Sequence, residues 1–318
     1  MDLKHKLKKN EKTELMKEND PVLKVVLKGH RKPISDISFF PDVASNQFAT
    51  GSEDGTMMIW DTADNTRSYN YIGHSNAVTG VEYSPDGRIL GSCSVDHTVR
   101  FWAPRVNGDC SEFKAHLSPI HCLNFSEDCS KLITGARDKA IKMWDVSTKH
   151  FISSFLGHNH WVKTAKFFPD GRVIASGADD RTLRLWDVLS GKCIHSFVSQ
   201  DGNPVHVAPY PNNNSVAVAM SSGAVRIYEL RTRKLQQHYV LHTDTTYVSW
   251  HPHENYLLTC GKDGKVRIVD VEEGRPIYTL GGHDGEVTCA KFSANGEYFA
   301  TGGGDNLVMV WKTNFIDS

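Results

Sequence analysis

The chain has 318 residues, with 36 lysines and arginines against 37 aspartates and glutamates, for a formal net charge of −1. Such a balance lacks the basic excess of a nucleic-acid binder and the acidic excess of a solvating tail. No apolar run approaches the roughly 18 residues of a membrane span.

The first stretch, MDLKHKLKKNEKTELMKEND, mixes six lysines with five acids and has no apolar core of a secretory signal. Residues 1–20 are expected to be a flexible charged arm. PVLKVVLKGH follows, an apolar strand pattern with no hairpin partner beside it. A repeating unit then begins. SEDGTMMIWD at 52–61 returns as SVDHTVRFWA at 94–103, ARDKAIKMWD at 136–145 and ADDRTLRLWD at 178–187. Trp60, Trp102, Trp144 and Trp186 are each 42 residues apart, and the series continues through Tyr228 and Val269 to Trp311. Seven units are therefore present.

Three more columns run in register. Six residues before the tryptophan position stand Asp54, Asp96, Asp138, Asp180, Ser222, Asp263 and Asp305. Ten before it stand Thr50, Ser92, Thr134, Ser176, Val218, Thr259 and Thr301. At the head of each unit stand His30, His74, His116, His158, Gln200, His242 and His283. Within a unit, runs such as AVTGVEYS and RILGSCS alternate apolar residues and are split by SPDG, FPDG or SANG. A third run ends at the tryptophan, and a fourth, such as SYNYIG, leads to the next head. That is four strands per unit joined by Asp/Gly turns. One such sheet cannot bury both faces, and stacking seven around an axis solves this while leaving short edges. The polar columns can then pair indole N–H to hydroxyl, hydroxyl to imidazole and imidazole to carboxylate, a connected buried network.

This set resembles the structural tetrad of WD-repeat β-propellers, and the resemblance runs from Val22 to Trp311. It implies an all-β fold: a seven-bladed propeller of four-stranded antiparallel blades over 21–313, with 314–318 as a C-terminal end. The last unit stops after its third strand, so Val22 to Leu27 should supply the outer strand of blade seven and close the ring.

The remaining motifs read as structure. The seven cysteines are odd in number and have no CxxC spacing, which suits reduced thiols better than a disulfide frame or zinc cage. HxH pairs at His158/His160 and His251/His253 have no neighbouring ligand to complete a metal set. Gly302, Gly303 and Gly304 lack the GK[ST] of a phosphate loop. No catalytic residue, metal or cofactor is assigned, and an enzyme is not expected.

Beyond the shared columns, FWAPRVNGDC, KLQQHYVLH, GRPIYTLGGHDGEV and VMVWKTNF are similar to the Proteome-of-Centriole-one family of centriolar WD-repeat proteins. That resemblance implies a non-enzymatic scaffold in the cytoplasm and cytoskeleton, at centrioles and basal bodies. It would contribute to microtubule-triplet stability by contacts with tubulin and centriolar proteins, without nucleic-acid or membrane partners. Oligomerisation, if any, is expected through a C-terminal coiled coil such as family members usually carry. The alternative is a peptide-reading adaptor of a ubiquitin-ligase or chromatin complex, which would need a deep pocket lined by arginines and aromatics.

In WD-repeat propellers the face with the histidine loops and aspartate turns is the usual partner surface. Its exposed positions are expected three and five residues after the head and one before the tetrad aspartate. They include His121 and Arg137 in blade three, Trp161 and Lys163 in blade four, and Thr245, Tyr247 and Lys262 in blade six. An exposed tryptophan beside basic groups has the composition of an interface hot spot for an acidic partner. Glu53 and Glu286 lie across the ring.

Overall fold

Period-2 runs become strands wherever an Asx- or glycine-based turn lets the chain reverse, and here that happens in every unit. The computed structural model describes residues 20–62, 67–105, 108–253 and 255–314. Apart from Asp20 the charged arm lies outside the described residues, as does the C-terminal end apart from Asn314, and as do residues 106 and 107 of FWAPRVNGDC. The described chain forms seven four-stranded antiparallel sheets, and no helix. Blade three is typical: β10 (Ile120–Phe125), β11 (Lys131–Ala136), β12 (Ala140–Asp145) and β13 (Phe151–Leu156) pair in chain order from the axis outwards.

Blade seven is assembled from both ends of the chain. Its order is β1 (Val22–Lys28), β28 (Leu307–Lys312), β27 (Tyr298–Gly303), β26 (Val287–Phe292). β1 runs antiparallel to β28 from Val22↔Lys312 to Lys28↔Leu307, with a bulge between Leu23 and Val25. Leu27 is buried in the cluster that also holds Trp311, Met309 and Phe299.

The turn after the second strand explains the aspartate column. Asp54 Oδ1 accepts the backbone N–H of Thr56 at 2.9 Å, and the same two-residue reach recurs at Asp96, Asp138, Asp180, Asp263 and Asp305. This Asx-turn carries the next residue into the left-handed region. Gly55 sits there at φ 81°, but so do His97, Lys139, Arg181 and Asn306 at 64–74°. Local hydrogen bonding therefore offsets the left-handed cost that non-glycine residues carry.

Apolar residues from facing blades fill the spaces between sheets. Ala49, Ile59, Val78, Val81, Leu90 and Trp102 form one such layer between blades one and two. The innermost strands are also bonded across blade boundaries by side chains. Asp36 Oδ2 accepts Val81 N–H at 3.0 Å, Asn124 Oδ1 accepts Phe167 N–H at 2.6 Å, and Thr288 donates to Ile34 C=O at 2.6 Å.

Candidate interaction surface

The tetrad columns meet as connected networks. In blade three, His116 Nε2 lies 2.8 Å from Thr134 Oγ1, His116 Nδ1 lies 2.7 Å from Asp138, and Trp144 Nε1 donates to Thr134 at 3.0 Å. Blade one (His30, Thr50, Asp54, Trp60), blade two (His74, Ser92, Asp96, Trp102) and blade four (His158, Ser176, Asp180, Trp186) repeat the geometry. So does blade seven, with His283, Thr301, Asp305 and Trp311. Blade six keeps His242, Thr259 and Asp263 but has Val269 at the indole position, and Arg267 bridges to Asp263 at 2.8 Å. Blade five has none of the four. There buried Arg226 ties its sheet to the head loop instead, donating to Ser199 Oγ at 2.9 Å and Asp201 Oδ2 at 2.7 Å.

These networks anchor the loops of one axial face, and the face has a definite centre between blades three and four. Arg137, on the turn between β11 and β12, lies with its guanidinium carbon 4.5 Å from the Trp161 ring centroid. Lys163 Nζ lies 5.5 Å from the same ring. Both distances suit cation–π attraction. Arg137 Nε donates to His121 Nε2 at 3.3 Å. That contact requires a neutral imidazole, and burial, helped by Lys163 and Arg137, pushes His121 down to about 4. Trp161 is half-buried, where the sequence suggested an exposed ring, because the neighbouring blade's arginine covers one face.

The basic residues differ in their partners. Lys163 lies 3.4 Å from Asp179, and Lys262 lies 3.5 Å from Asp244. Arg137 faces no carboxylate among the described residues, so the uncompensated charge of the patch is concentrated there. Glu53 and Glu286 are exposed on the opposite side of the ring.

Tyr247 corrects the sequence reading. It is 8% exposed, stacks on His206 with centroids 3.7 Å apart, and donates to Asp36 Oδ1 at 3.3 Å. Thr245 is buried as well. Blade six is one residue short in its head loop: His242 and Thr259 are 17 apart where blades two, three, four and seven have 18. The face positions of blade six are therefore Asp244 and Thr246, and Tyr247 turns into the central channel.

That channel holds residues the sequence reading left unassigned. Lys166 Nζ donates to Glu82 Oε2 at 3.0 Å, and Asn124 Nδ2 lies 2.8 Å from Glu82 Oε1. Lys291 is enclosed with them, and burial pulls its ammonium down. Burial pushes the Asp36 carboxyl up and holds His206 well below its ordinary value. The mouth on the histidine-loop face is a recess of about 440 Å³. Lys166, His206 and Tyr247 line both this recess and the one on the opposite side, so they divide the channel at mid-height. The sequence signal was charge at inner-strand positions that should alternate apolar: Asp36, Glu82, Lys166 and Lys291.

Comparison with known proteins gives matches to repeat-bearing chains. The family described as the IFT122 first beta-propeller matches residues 9–267, and the WD domain, G-beta repeat, matches residues 274–312. Cilia- and flagella-associated protein 52 of Chlamydomonas reinhardtii is 35% identical over 94 residues, which is 29% of this chain and 15% of that protein. Ribosome assembly protein 4 of Chaetomium thermophilum is 47% identical over 62 residues, 20% of this chain and 12% of that protein. Denticleless protein homolog of Xenopus tropicalis is 33% identical over 104 residues, 31% of this chain and 15% of that protein. The chain thus covers well under a fifth of the length of these curated relatives.

Proposed function

The chain belongs to the WD-repeat β-propeller family, and from that premise we propose that it is a non-enzymatic interaction scaffold of microtubule-based structures, working at centrioles and basal bodies. The observation that carries the reading is the Arg137–Trp161–Lys163 cluster on the histidine-loop face. It offers a flat aromatic surface and one unpaired guanidinium, which suits an acidic protein surface such as that of tubulin. The cilium- and flagellum-associated relative supports the cytoskeletal setting. A deep-pocket peptide reader is less well supported, since the channel is divided at mid-height by Lys166, His206 and Tyr247.

The test pairs Trp161→Ala with Arg137→Ala. The double variant should bind microtubules at least ~2 kcal/mol more weakly in co-sedimentation, roughly 30-fold in affinity. Its thermal stability should stay within ~1 kcal/mol of the parent, because neither side chain lies in the core. A tagged parent chain should form centriolar foci and the variant should not. Unchanged affinity and unchanged foci would place recognition on the blade rims or the opposite face.

A further inference from the structure

Blade three departs from the other six on its outer half, at three positions. The residue after the head is polar or charged in six blades and is Leu117 in blade three. The residue of the outermost strand that pairs with the tetrad-tryptophan position is Phe151, where other blades place Ser68, Cys110, Cys193, Leu235, Pro276 or Leu23. The residue two before that position is arginine in blades two, four, five and six, but here it is Lys142, which turns back to Ala115 C=O at 3.0 Å.

A groove of about 470 Å³ lies between the head loop and the outer face of β12 and β13. Leu117, Leu156 and Phe151 border it at 82%, 70% and 53% exposure, and together they make one contiguous apolar border. Lys114 and Lys142 line it too, and no carboxylate does. Asp138, 4.0 Å from Lys142, is already bonded to His116. β13 is the last strand of its sheet, so its outer N–H and C=O groups face no strand among the described residues.

We propose that blade three binds an extended, acidic partner segment as a fifth strand alongside β13, with an apolar side chain seated against Leu117 and Phe151 and carboxylates turned to Lys114 and Lys142. Strand addition draws affinity from main-chain hydrogen bonds and specificity from the side chains on one face. The outermost strand of a second copy, pairing edge to edge, does not fit that description. Among its seven outermost strands the only carboxylate is Glu112, which is paired with Arg100. The groove includes none of Arg137, Trp161 and Lys163 and does not depend on them.

The probe is a fluorescein-labelled octapeptide, Thr-Glu-Thr-Phe-Thr-Glu-Thr-Asp, which puts its phenylalanine and its carboxylates on one strand face, titrated against the full chain by fluorescence anisotropy at low salt. Saturable binding is expected, with slowed amide exchange in residues 151–156. Leu117→Glu with Leu156→Glu should weaken it at least about tenfold, since both side chains are exposed and their loss spares the core. Trp161→Ala should leave it unchanged. N-methylation of one alternate set of peptide amides should abolish binding, and methylation of the other set should not. This last comparison needs no protein variant. The proposal is overturned by an absence of saturable binding, by protection outside 151–156, by equal effects of the two methylation patterns, or by loss of binding with Trp161→Ala alone.

Discussion

Thr134 holds two donors or acceptors at once: its hydroxyl lies 2.8 Å from His116 Nε2 and 3.0 Å from Trp144 Nε1. Thr134→Val keeps the shape and removes the oxygen. It should cost about 1–3 kcal/mol for each buried group left without a partner, read as a lower urea midpoint with an unchanged slope. Val218 holds that position naturally in blade five, where no imidazole or indole waits for a hydroxyl. The same networks set the pH response. Burial lowers His30, His158 and His242, despite the opposing aspartates, and lowers His206 and His121 as well. A base whose folded value lies below its ordinary 6.5 contributes stability that is complete above that pH and lost as pH falls through it. For Asp54, Asp138, Asp180 and Asp263 burial opposes ionisation, but hydrogen bonds outweigh it and hold the carboxyls below 3.8. Their contribution is present above that value and lost below it. The melting temperature should therefore be level between about pH 7 and 8, fall from about pH 6.5 downward, and fall further below about pH 4. A constant melting temperature between pH 7 and 4.5 would contradict the buried neutral histidines.

Two elements carry expectations of their own. β1 is the only strand of the closing blade that comes from the N-terminal side. A chain beginning at Gly29 should be insoluble or far less stable than one beginning at Asp20, because β28 loses its antiparallel partner and the core around Trp311 and Met309 opens. Equal melting temperatures for the two chains would rule this out. Blade five depends on Arg226 in place of a tetrad, and its outermost strand, β21 (Lys234–Val240), is largely exposed. One side chain bridging the third strand to the head loop holds the sheet less firmly than a network that also takes in the second strand. Hydrogen exchange should therefore be faster in blade five than in blades three and four. Finding blade five the most protected would contradict that account.

At the scale of the whole ring, the histidine-loop face has an aromatic and basic sector at blades three and four and exposed glutamates at blades seven and one. Lys163 and Lys262 are partnered by Asp179 and Asp244, while Arg137 is not. Arg137→Gln should thus reduce the salt dependence of association with an acidic partner more than Lys262→Gln does. Stopped-flow association rates at several salt concentrations would decide between them, and equal effects would mean the ion pairs leave the lysines as available as the arginine.

The sequence by itself determined the blade count, the strand order within a blade, the tetrad partners and the closing role of Val22 to Leu27. Each is a repeated local pattern, or the one place where the pattern is left incomplete, so copies at a constant interval identify them. What only the tertiary structure decided lies where blades meet. A single missing residue in the blade-six head loop moved Tyr247 from the face into the channel, because shifting a strand's register by one turns its side chains to the other side. The arginine over Trp161 comes from the preceding blade, 24 positions earlier in the chain, and the Glu82–Lys166 pair spans 84. Likewise, the blade-three groove sets the head loop, with Leu117, beside Phe151 and Leu156, more than 30 positions later in the chain. Pairings across blades follow from the angle and spacing of packed sheets, which no periodicity within one unit encodes.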